Sequence, residues 1–252
     1  MSGSYRASVG HNPLIRVKKQ SLALAGQDIG GTLAALPSGG VKWHPTHGIK
    51  LDDDVASGLA TRRAKFSNLT ASSNLHFVDC RYRWGRLNTT GSTYDWSELD
   101  ADLAAANSYG ARLSCTVEWK SFNGTGQTMI APADLIAGNA YVTGTNPNNY
   151  TMAMWRSAVT DRFITFMQAF ATRYDNDARL ELVTTSESAP SLATPFPADY
   201  STGALATQLK RIYLAWETQF SHTMTCSNLN SLSGQISGLL EYAYQHGSGF
   251  GC

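Results

Sequence analysis

Charge is the first thing this sequence has little of. Only 15% of its 252 residues are Asp, Glu, Lys or Arg, and 20 basic side chains against 19 acidic ones leave a formal net charge of +1. No run of Lys or Arg outgrows a pair such as Lys18-Lys19. The basic stripe that draws in a polyanion is therefore missing, and nucleic acid is not expected as a partner. Long hydrophobic runs are lacking too. The apolar tract between Ser21 and Leu36 is broken by Gln27, Asp28 and the pair Gly30-Gly31, short of the about 18 apolar residues that a membrane helix needs. No membrane partner is expected. The opening MSGSYRASVGHNPLIRVKKQ carries charge without the apolar segment of a secretory signal, so the expected location is the cytoplasm or a larger assembly. Closely spaced cysteines are absent as well. Cys80, Cys115, Cys226 and Cys252 match neither a zinc motif nor a disulfide framework, and free, mostly buried thiols are expected. No metal and no cofactor is called for, and the oligomeric state stays open.

What the chain does have is alternation. Residues 1–39 show no sustained period and read as an irregular amino-terminal arm ending at Pro37-Ser38-Gly39-Gly40; the ordered domain is placed at residues 40–252. Short apolar runs then alternate with longer amphipathic ones. Strands are predicted at Val41 to His44, 75–84, 111–119, 179–187 and 223–229, with the closing Gly-Phe-Gly-Cys as the start of a sixth. Helices are predicted in YDWSELDADLAAANSYG, in MAMWRSAVTDRFITFMQAFATRY, near Ala204 to Phe220 and around Ile236 to Gln245. In the second of these, Trp155, Val159, Phe163, Phe166 and Phe170 recur at three- and four-residue steps and make one apolar face.

Such alternation predicts an α/β fold with parallel strands. No Gly-rich dinucleotide or phosphate loop follows any strand, which favours a (β/α)8 TIM-barrel type over an open doubly wound sheet. Five to six βα units are visible against eight, so the barrel is expected to be incomplete in this chain, as in a fragment.

In a barrel the working side chains leave the carboxyl ends of the strands. Period-two alternation assigns the axis-facing positions: Asp79, Arg81 and Arg83 on the second strand, Ser114, Thr116 and Glu118 on the third, Val183, Thr185 and Glu187 on the fourth, Thr225 and Ser227 on the fifth, with Asn228 and Asn230 near the rim. Arg81, Glu118 and Glu187 thus collect at one end with Trp84 and Trp119 beside them. Carboxylates, an arginine and indoles suit a carbohydrate, whose rings present apolar faces to aromatics and hydroxyls to polar groups. An oligo- or polysaccharide is the expected partner.

The stretch YRWGRLNTTGSTYDWSELDADLAAANSYGARLSCTVEW resembles the second-strand to third-strand region of clan A glycoside hydrolases, where an Arg-Trp pair leads to a Gly-x-Tyr-Asp-Trp helix opening. TTSES resembles that clan's fourth-strand end, where an Asn-Glu pair supplies the general acid/base. The resemblance covers residues 74–190. It implies that Glu187 is the catalytic acid/base of a retaining hydrolase of β-linked glycans, with the nucleophile on a seventh strand that this sequence does not contain. One departure stands out: Ser186 occupies the place of the clan's Asn, which bonds the sugar 2-hydroxyl.

Further residues are expected at the substrate. His44 and His47 in WHPTHG are candidates at the first strand end. Pro45 excludes a regular helix there, and a metal site lacks a third ligand. Glu118 is placed among the binding residues, though an ion pair with Arg81 or Lys120 accounts for it equally well. Trp84 and Trp119 are the stacking candidates, Trp155 and Trp216 belong to the core, and Ser186 and Asn228 complete the rim. The competing reading is a carbohydrate-binding or structural module on the same barrel, without turnover.

Overall fold

A computed structural model of the chain describes residues 47–51, 62–67, 75–144, 146–230, 232–246 and 248–251. The predicted arm, the strand predicted at Val41 to His44, and the acidic triplet Asp52-Asp53-Asp54 lie outside them.

Apolar and β-branched runs flanked by turn residues form the strands of the main sheet. These are β1 (His47–Leu51) and β2 (Leu75–Arg83), followed by a one-turn helix α1 (Trp84–Leu87) and a small hairpin, β3 (Asn88–Thr90) with β4 (Thr93–Tyr94). Next come α2 (Ser97–Ser108), β5 (Arg112–Glu118), a short turn α3 (Ala133–Ile136) and a second hairpin, β6 (Ala140–Val142) with β7 (Tyr150–Met152). The chain continues as α4 (Ser157–Tyr174), β8 (Leu180–Glu187), α5 (Thr202–Gln219), β9 (Met224–Asn228), α6 (Ile236–Gln245) and β10 (Gly249–Gly251).

Six strands form one parallel sheet in the order β1-β2-β5-β8-β9-β10. The order rises steadily along the chain. A doubly wound sheet reverses its strand order at a switch point, whereas successive βα units laid side by side are the construction of a barrel. Among the described residues, β1 and β10 stand at the two edges, so the barrel is incomplete.

Two expectations need correction. The edge strand is His47–Leu51, beyond the predicted strand at Val41 to His44; Ile49 and Leu51 carry the two-residue apolar spacing of a strand that follows the Pro45 break. The helix predicted to begin at Met152 begins instead at Ser157, because Tyr150–Met152 pairs antiparallel with Ala140–Val142. That hairpin is strapped to the residues after β5. Met152 N donates to Trp119 O at 3.0 Å, Ser121 N to Tyr150 O at 2.8 Å, and Tyr150 N to Ser121 Oγ at 2.7 Å.

The core lies where helix faces meet the sheet. Phe163, Phe166 and Phe170 of α4 join Leu113, Cys115 and Val117 of β5 and Val78, Cys80 and Tyr82 of β2, all buried. Trp155 and Trp216 are core residues as expected. Burial without a positive neighbour strong enough to offset it raises the Cys80 thiol to about 12, and Cys115 also lies well above its ordinary value, so both stay protonated and inert.

Charge inside this shell is paired. Arg62, in a helical turn at residues 62–67 and 1% exposed, donates to Glu98 Oε1 at 2.7 Å, to Arg81 O at 3.0 Å, and to Asp102 Oδ2. Tyr82 OH also donates to Asp102, at 2.8 Å, and Arg63 Nε at 2.7 Å. This network ties the turn, α2 and β2 together. Gly85 serves the same region differently: its N–H donates to Met129 O at 2.8 Å, and a Cβ at this position would lie 2.2 Å from Ala131 O. Only glycine lets the loop after β5 come so close.

Candidate active site

Strand register decides what reaches the carboxyl edge of the sheet. Asp79, Ser114 and Thr116 share one face: Ser114 Oγ and Thr116 Oγ1 lie 2.9 Å and 3.1 Å from Asp79 Oδ1, and Thr116 Oγ1 lies 2.5 Å from Thr184 Oγ1. This is the polar face predicted for β2 and β5. On β8 and β9 the predicted phase is reversed. Thr184, paired with Thr116 and with Cys226, belongs to the polar face, while Val183 is fully buried opposite Cys115. Ser227 is fully buried beside Tyr213 of α5. The cause is a register shift near the start of β8: Leu180 stands opposite Leu113 but Leu182 opposite Ser114, so Leu182 joins the polar face, and β9 follows with Met224 opposite Leu182.

Glu187 nevertheless sits where expected, by a different route. Thr184 pairs with Cys226 and Glu187 with Asn228, so three steps on β8 match two on β9. The extra residue is a β-bulge, and it returns Glu187 to the face of Thr184. Simple alternation could not have shown this. Ser186, at the bulge, is 1% exposed and donates to Glu118 Oε2 at 2.5 Å.

Two carboxylates therefore stand side by side in unlike surroundings. Glu118 is 1% exposed; burial pushes its carboxyl above the ordinary value, only partly offset by Arg81, Ser186 and Lys120, and the Glu187 charge pushes it the same way. Arg81 Nη1 lies 3.6 Å from Glu118 Oε1. Glu187 keeps 32% of its side chain exposed. Partial burial raises its carboxyl, but the Lys120 ammonium, a hydrogen bond from Asn230 and Arg81 outweigh that and hold it below the ordinary glutamate value. Lys120 Nζ lies 3.2 Å from Glu187 Oε2 and donates to Ala189 O at 2.7 Å.

Other expected site residues fall out of place. Trp84 is fully buried against Phe163, ring centroids 5.2 Å apart, and Trp119 meets the same ring edge-on at 5.1 Å. Both are core, because their indoles turn toward α4. His47 opens β1, opposite Leu75 at the start of β2, and so lies at the amino end of the sheet, away from Glu187. His44 lies outside the described residues. Arg83 is buried and donates to Thr128 O at 2.6 Å and to Thr125 Oγ1, holding the loop after β5. Glu118 is bonded to Ser186 and has no rim exposure from which to contact a sugar directly. Arg81, with 16% of its side chain exposed, and half-buried Asn228 remain at the edge.

Sequence reasoning missed two residues there. Lys120 was considered only as a partner of Glu118, and Phe122 was not considered at all. The Phe122 ring centroid lies 5.7 Å from the Arg81 guanidinium and 5.5 Å from the Lys120 ammonium. It is the half-buried aromatic of this cluster. The Trp-Lys-x-Phe spacing just past a strand end was the available signal.

No family model matches the chain, and no curated protein matches it. Solved structures do. The catalytic domain of beta-amylase from Paenibacillus polymyxa superposes with a TM-score of 0.58 at 8% identity, over 81% of this chain and 74% of that one. Endo-glycoceramidase II from Rhodococcus sp., in a cellobiose-like imidazole complex, gives a TM-score of 0.50 at 13% identity, over 73% of this chain and 48% of that one. What is shared is the parallel (β/α) barrel-type fold. At these identities the likeness concerns the fold alone, and the chain spans about half the length of the endoglycoceramidase. Among the described residues no helix is long and apolar enough to cross a membrane.

Proposed function

We propose that this chain carries the acid/base side of a glycoside hydrolase site acting on a β-linked oligo- or polysaccharide, with Glu187 as the carboxylate that meets the glycosidic oxygen. The observation that carries the reading is the bulge that returns Glu187 to the polar face at the carboxyl end of β8, partly exposed, one strand away from Glu118 and two from Arg81. In a retaining cycle Glu187 protonates the leaving oxygen and later takes a proton from water, while a second carboxylate about 5 Å away forms the glycosyl intermediate. Glu118 is too deeply buried for that second role, so the nucleophile is assigned to no described residue. On this reading Asn228, Arg81 and Phe122 are assigned to hold the sugar.

One observation favours the competing reading, sugar binding without turnover. Lys120 keeps Glu187 ionised, whereas the first half of the cycle needs a proton on it. Hydrolysis of aryl β-glycosides and of β-glucan or mannan oligomers by the chain and by Glu187→Gln separates the two. Turnover that collapses in the variant and returns in part with an activated leaving group supports the hydrolase. Absence of turnover together with sugar binding by calorimetry supports the binding module.

A further inference from the structure

Lys120 is 2% exposed, which is unusual for a lysine. A buried ammonium costs several kcal/mol, as an order of magnitude, unless partners replace its water. Here the partners are specific: Ala189 O at 2.7 Å, Glu187 Oε2 at 3.2 Å and the Phe122 ring at 5.5 Å. Each partner is held from elsewhere. Ala189 N donates to Asn230 Oδ1 at 2.9 Å, Ser188 Oγ donates to Asn230 O at 2.7 Å, and Ser188 N to Asn228 O at 2.8 Å. On the other side, backbone hydrogen bonds on both flanking residues strap Trp119 and Ser121 to the β6–β7 hairpin, and Lys120 itself bridges Thr151. The ammonium is thus clamped between two loops, while the carboxylate it meets is the exposed member of the pair.

We propose that Lys120 is a positioning residue for Glu187: the clamped ammonium fixes both the orientation and the charge state of that carboxylate at the mouth of the site. The inference rests on the reading of Glu187 as the working carboxylate, but its test does not depend on turnover. Four groups face Glu187: Lys120 after β5, Arg81 of β2 and Asn230 after β9 favour the ionised form, and Glu118 of β5 opposes it. Removing Lys120 therefore moves the carboxyl upward, with Arg81 and Asn230 left to limit the move. If Glu187 is the general acid, the alkaline limb of the pH–rate profile moves upward with it, because activity is lost as the acid deprotonates.

The experiment is a carbon-detected NMR titration of the glutamate carboxyls in the full chain, with Glu187 assigned by its loss in Glu187→Gln. In Lys120→Met the Glu187 midpoint is expected to rise by about 1 pH unit or more, the low end for loss of a neighbouring opposite charge, and Lys120→Arg is expected to keep it near the wild-type value. An unchanged midpoint in a folded Lys120→Met overturns the proposal. Should Lys120→Met fail to fold, the wild-type chain still decides. The Lys120 Nζ resonance must shift at the pH where Glu187 titrates and lose that step in Glu187→Gln; a resonance that ignores Glu187 overturns the proposal. Loss of the hydrolase reading would show instead as absent turnover, with the coupling intact.

Discussion

Ser186 donates its hydroxyl to Glu118 across the β5–β8 seam, Oγ to Oε2, at 2.5 Å, with both side chains 1% exposed. The serine that replaces an asparagine in the resembling pattern is thus turned away from the rim and spent on a buried carboxylate. If the hydrolase reading is right, a sugar 2-hydroxyl must find its amide elsewhere, and Asn228, opposite Glu187 on β9, is the nearest in register.

That hydrogen bond should be measurable. Ser186→Ala leaves a buried acceptor without its donor, a change that costs about 1–3 kcal/mol. Chemical denaturation is expected to show a lowered midpoint with an unchanged slope.

Glu118 makes stability depend on pH in a direction opposite to most carboxylates. Its folded value is raised, so between the unfolded and folded values the folded chain holds a proton that the unfolded chain has released. Its contribution is full below the unfolded value and declines as pH rises through the folded one. Melting temperatures of the wild type and Glu118→Gln, taken across pH, are expected to diverge above the ordinary glutamate range in favour of the variant.

Asp102 holds Arg62, Arg63 and Tyr82 at once with none of its own surface exposed. Asp102→Ala removes one of the two carboxylates that meet buried Arg62 and the acceptor of Tyr82, leaving Glu98 to the arginine, and is expected to cost about 1–3 kcal/mol. A double variant with Arg62→Met should recover part of that loss, since the two changes share one interaction.

Gly85→Ala places a methyl carbon against the Ala131 carbonyl, where only a backbone shift makes room. A loss of about 1–3 kcal/mol is expected, as for other overpacked sites. Lys120 is tied to the same stretch of chain, so proteolysis of the loop after β5 should quicken as well.

The aromatic residues divide by environment. Trp119→Ala opens the core beside Phe163 and is expected to lower stability by about 3–5 kcal/mol. Phe122→Ala, at the half-buried edge, should lower stability less than Trp119→Ala and weaken oligosaccharide binding in calorimetry.

The sequence by itself determined the alternation of strands and helices, the apolar face Val159, Phe163, Phe166 and Phe170 of α4, and the polar face of β2 and β5. Those features follow from periodicity, which is a local property of the chain. Register is not local. The bulge before Glu187, the reversed phase of β8 and β9, and the turn of Trp84 and Trp119 into the core depend on which residue of a neighbouring strand stands opposite and on how much room the helices leave. Only the tertiary structure could bring Lys120 from the end of one strand to Glu187 at the end of the next, because that pairing exists only once the fold has buried the ammonium beside the carboxylate.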